Sequence, residues 1–77
     1  MPIYIEYDGV TLRFDALPTD TVESVKAQIE RRTIARIGCQ KLFLSEKELE
    51  NDQPLEEYGI GRDSRIELDV VFTPHKI

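Results

Sequence analysis

The dipeptide Asp8-Gly9 sits between two stretches that alternate apolar and polar residues, MPIYIEY before it and VTLRFDA after it. Asp-Gly in that setting is a strong hairpin signal, because a type I′ turn needs positive φ at both central residues. A two-residue turn also sets the register, placing Tyr7 opposite Val10, Ile5 opposite Leu12 and Ile3 opposite Phe14. The apolar residues then share one face, and Pro2, Tyr4, Glu6, Thr11, Arg13 and Asp15 share the other. Turn chemistry and hydrophobic pattern thus predict the same hairpin independently, and its apolar face needs a cover.

The next segment supplies one. Leu17-Pro18 breaks the second strand, and TDTVESVKAQIERR follows with Thr21 as N-cap and Asp20 and Glu23 suited to a helix N-terminus. Val22, Val25 and Ile29 recur at helical spacing and give a single apolar stripe. The helix is expected to end near Arg32, although TIARIG brings no sharp stop before Gly38. Gln40 to Ser45 reads as a short strand with Leu42 and Leu44 inward and Lys41 and Phe43 outward. A long polar segment follows, in which Leu49, Leu55, Tyr58 and Ile60 are spaced as anchors for irregular chain. Arg65 to Phe72 reads as the last strand, with Ile66, Leu68 and Val70 on one face. Pro74 cannot continue a ladder, so pairing should stop near Thr73.

The class is α+β, with Ile3, Ile5, Leu12, Phe14, Val22, Val25, Ile29, Leu42, Leu49, Leu55, Ile60, Ile66 and Leu68 as the expected core. At 77 residues this is one small domain, expected over 1–73, with 74–77 a tail or the start of a linker. No apolar run nears the roughly 20 residues of a membrane span, and the N-terminus lacks a signal-peptide pattern, so the expected setting is the cytoplasm or nucleus. The net charge of −5 repels nucleic acid and anionic membranes, which leaves proteins as the expected partners of a domain monomeric by itself. Cys39 is the single cysteine and His75 the single histidine, and nothing in their spacing brings them together as nucleophile and base. Glu46 to Asp52 lacks the alternating carboxylates and central glycine of a calcium loop and reads as solvated chain. Gly59-Ile60-Gly61 reads as turn punctuation, so neither catalysis nor a cofactor or metal is expected.

From Met1 to about Phe72 the chain resembles ubiquitin and its relatives, collinearly but with one residue fewer in the first turn. MPIYIEY, PTDTVESVKAQIE, QKLFLSEKELENDQPLEEYGI and DSRIELDV carry the resemblance. It implies the β-grasp fold, a mixed sheet wrapped on one helix with the fifth strand lying between the first and third, an order that periodicity alone does not supply.

Function in that family lies in a hydrophobic patch on the outer sheet face and in a tail ending in two glycines. Here the patch leucine is lost with the shortened turn, the patch isoleucine corresponds to Phe43, the patch valine to Asp69 and a neighbouring histidine to Glu67. The arginines read by activating enzymes correspond to Lys41, Val71 and Thr73, and the glycine pair to Pro74 and His75. Lys26 and Lys47 keep two of the family's chain-building lysines, while Arg62, Arg32, Gln28 and Glu6 replace others. The resemblance therefore implies a non-covalent interaction module or adaptor in the ubiquitin and proteasome pathway, not itself conjugated. Its expected protein-binding residues are Phe43, Lys41, Lys47, Glu67, Asp69 and Tyr4. The alternative is a covalent modifier whose glycine-ended tail lies outside these residues, and a minor third reading makes Lys26 or Lys47 a modification site.

Overall fold

The structure, a computed structural model of the chain, describes residues 1–71. Strands β1 (Pro2–Tyr7) and β2 (Val10–Asp15) pair antiparallel in the predicted register. Asp8 (φ 48°) and Gly9 (φ 78°) both hold the positive φ that the turn requires.

Helix α1 spans Val22–Arg32. Thr21 caps it, its Oγ1 accepting from the Ser24 N–H at 3.2 Å. Two more first-turn donors, the N–H groups of Val22 and Glu23, reach the carbonyls of Gln53 and Asn51 at 3.0 and 3.1 Å. The irregular segment after the third strand thus satisfies groups that a helix start leaves open. The helix stops without a glycine. The Thr33 hydroxyl donates to the Ile29 carbonyl at 2.8 Å and accepts from the Ala35 N–H at 3.1 Å, so a side chain takes over the terminal hydrogen bonding. Glu30 Oε2 then accepts from the Ile37 N–H at 3.0 Å, at the start of a 3₁₀ turn, Ile37–Cys39.

Strands β3 (Gln40–Leu44), β4 (Lys47–Glu48) and β5 (Arg65–Val70) complete a five-stranded sheet of order β2-β1-β5-β3-β4. β5 runs parallel to β1 and antiparallel to β3, giving the mixed sheet and single helix of the β-grasp. β4 departs from the solvated loop expected over Glu46 to Asp52. The chain reverses through Ser45 (φ 49°) and Glu46 (φ 72°), a left-handed pair with no glycine or asparagine to announce it. β5 ends at Val70, although the Val71 N–H still donates to the Cys39 carbonyl at 2.8 Å. The expected end near Thr73 and the tail lie outside the described residues.

Every residue of the expected core is buried except Leu12, which packs against the cluster but is only half-buried on the edge strand β2. Tyr7 and Val10, expected on the covered face, are exposed, because they flank the reversal at the hairpin tip where the ladder ends. Leu49, Leu55 and Ile60 anchor the irregular segment as expected, and the Tyr58 hydroxyl accepts from the Glu50 N–H at 2.8 Å. Gly59 (φ 70°) closes the 3₁₀ turn Leu55–Tyr58. Two buried polar residues were not expected, Gln40 and Lys26. Gln40 Nε2 donates to the carbonyls of Lys26 and Ala35 at 2.9 and 3.0 Å, stitching the start of β3 to the helix and to the loop behind it.

Candidate functional site

Pairing register places the outer-face side chains in rows that run across the strands. One row reads Thr11 on β2, Glu6 on β1, Glu67 on β5, Phe43 on β3 and Glu48 on β4. On one side of it lies the row of Arg13, Tyr4 and Arg65, and on the other Asp69 faces Lys41. Phe43 and Tyr4 are half-buried, whereas Lys41, Glu67, Glu48 and Asp69 are exposed. Phe43, Glu46, Glu67, Leu68 and Asp69 line one shallow, open depression.

The charges divide unevenly. Arg65 Nη1 meets Glu6 Oε1 at 2.7 Å, and its guanidinium carbon lies 5.8 Å from the Tyr4 ring centroid. Arg13 pairs loosely with Asp15 at 3.6 Å. Among the described residues, neither Glu67, Glu48 nor Asp69 has an ion-pair partner, although Lys41 stands opposite Asp69 in the register.

Five of the six expected binding residues therefore share the outer face. Lys47 does not join them: it pairs with Leu44, on the opposite side of the pleat from Phe43, and its Nζ lies 5.4 Å from the Tyr58 ring centroid. A two-residue turn makes Leu44 and Lys47 partners, and alternation then puts Glu48 beside Phe43. Glu46, Glu48 and Arg65 were missed as members of this face. Recognising Ser45-Glu46 as a turn would have found the first two, but those residue types give little warning of positive φ. A separate small apolar groove, also unexpected, is lined by Tyr7, Thr33, Ile34, Ala35, Leu68 and Val70, and Ile34 is 90% exposed.

The match of this chain to known proteins covers the same strands. The model of the ubiquitin family fits residues 3–70, which takes in the helix and every outer-face residue named above. The chain belongs to the ubiquitin family. Ubiquitin D of Homo sapiens is 35% identical over 63 residues, which are 82% of this chain and 37% of that protein. The chain thus spans little more than a third of the length of that relative.

In this ubiquitin-family domain the two retained lysines occupy different environments. Lys47 is exposed, whereas Lys26 is buried and donates to Asn51 Oδ1 at 2.6 Å. Burial pushes the Lys26 ammonium below its usual pKa, and the nearby carboxylates of Glu48 and Glu23 offset part of that shift. Cys39 is a half-buried free thiol on the 3₁₀ turn, and His75 lies outside the described residues.

Proposed function

We propose that this domain is a non-covalent protein-interaction module of the ubiquitin pathway, acting as a monomer in the cytoplasm or nucleus and binding through its outer sheet face. Phe43 carries the reading. It is a half-exposed aromatic on a sheet face that no other element of the described chain covers, at the position where the resemblance puts the family's binding isoleucine. Aromatic residues set among polar neighbours are favoured as interface anchors. Similarity to Ubiquitin D supports the pathway. Pro74 and His75, standing where the family carries its glycine pair, favour binding over attachment, since proline fixes φ and histidine adds a side chain. The reading assigns the domain no catalytic step.

Affinity selection with wild type, Phe43→Ala and Ile34→Ala, followed by titration of each recovered protein, tests the proposal. The expected outcome is a partner lost by Phe43→Ala and kept by Ile34→Ala. Partners that bind Phe43→Ala as tightly as wild type would overturn it.

A further inference from the structure

The geometry points to a cationic protein segment, an apolar side chain flanked by arginine or lysine, as the partner that docks on Phe43. The inference rests on the outer face being the binding face and adds the chemistry of its occupant. Phe43 lies between Glu67 and Glu48, Glu6 stands beyond Glu67, and Glu46 and Asp69 border the same depression. Arg65 answers Glu6, and Glu48 also feels the buried Lys26 ammonium, with which it lines a neighbouring depression, but none of Glu46, Glu48, Glu67 and Asp69 has an ion-pair partner among the described residues. Lys47, which in sequence stands next to Glu48, is turned to Tyr58, leaving Lys41 as the cation beside Phe43 on β3.

An apolar side chain seated on Phe43 would exclude water from its rim. Carboxylates left there unpaired would oppose binding, and partner cations at the same places would favour it. A neutral or acidic occupant meets the first situation, a basic one the second. A single divalent ion does not fit this layout, since no group of three or more carboxylate, histidine or cysteine side chains converges as metal ligands among the described residues. Glu67 and Glu48 are two inter-strand spacings apart, about 10 Å, a length that about two turns of helix cover. A helix lying across β5, β3 and β4 with a leucine at its centre and an arginine one turn to either side matches that spacing.

The probe is a synthetic amphipathic helix of that design, compared with a copy in which glutamates replace the arginines. Binding to the 77-residue chain is followed by backbone NMR shifts and calorimetry. The arginine peptide should shift Phe43, Glu67 and Glu48, weaken as salt rises, and lose about tenfold in affinity to the double variant Glu67→Gln, Glu48→Gln. Both positions are exposed, and because Glu48 also acts on the buried Lys26 ammonium the melting temperature of the variant is measured beside its affinity. Equal or tighter binding of the glutamate peptide, binding of neither, or indifference to the double variant would overturn the charge assignment. Should one of these occur while selected partners still depend on Phe43, the interaction module stands and only its cationic partner falls.

Discussion

Lys26 Nζ donates to Asn51 Oδ1 at 2.6 Å, joining the middle of the helix to the segment that caps the helix start. Burial lowers the Lys26 pKa in the folded protein below the 10.5 of a free lysine. Between the lowered value and 10.5 the unfolded chain binds more protons at this site, so its contribution to stability rises with pH across that window. The stability difference between wild type and Lys26→Met should therefore move in favour of wild type as pH climbs from neutral toward 10.5. Urea unfolding at a series of pH values measures it, and a difference independent of pH would contradict the assignment.

Core truncation should be costly in proportion to burial. Ile29 is fully buried and Leu68 nearly so, and alanine at either should cost about 2–5 kcal/mol. Ile34→Ala, at a site 90% exposed, should change stability by less than about 0.5 kcal/mol. Thermal and denaturant melts of the three variants compare them directly, and equal losses would remove the distinction between core and surface.

Glu46 holds φ 72°, where a residue with a Cβ is strained by about 1–2 kcal/mol. Glycine relieves that strain but adds freedom to the unfolded chain, an opposing effect of about 0.4–1 kcal/mol. Glu46→Gly should thus raise stability by about 0.5–1 kcal/mol. The same change removes a carboxylate from the depression at Phe43, so affinity for the arginine peptide should fall while the melting temperature rises. Loss of stability in chemical denaturation would show that the turn is not strained.

Helices that bind ordinary ubiquitin present apolar surface where this domain carries Asp69, as the resemblance implies. They should bind weakly here, and Asp69→Val should tighten them. Micromolar binding to the unaltered domain in an NMR titration would contradict this.

Incubated with ATP and a panel of activating and conjugating enzymes, the 77-residue chain should form no attachment through its C-terminus. Mass spectrometry would detect a thioester or isopeptide product, whose appearance would favour the covalent reading instead.

The hairpin, the capped helix and most of the core were legible because period and turn chemistry agree there. Asp8-Gly9 announced its turn, and Val22, Val25 and Ile29 announced their stripe. The sheet order came from resemblance, since alternation says which residues share a face and nothing about which strands are neighbours. β4 was illegible because Ser45 and Glu46 adopt positive φ without the residue types that usually do so, and only that reversal sets Lys47 opposite Leu44 and Glu48 opposite Phe43. Buried Gln40 and Lys26 were hidden for another reason: their distant partners, the Lys26 carbonyl for Gln40 and Asn51 for Lys26, become neighbours only in the tertiary fold.

β5 lies between β1 and β3, so the last strand described is the one that makes two separate ribbons into a sheet. During synthesis the hairpin and helix can begin to form as they leave the ribosome, but β1 and β3 have no common neighbour until Arg65–Val70 emerges. Closing so long a loop is entropically costly and slows folding. A nascent chain stalled before Arg65 would hold a bare edge on β1 and another on β3, both ready to pair with whatever strand arrives first.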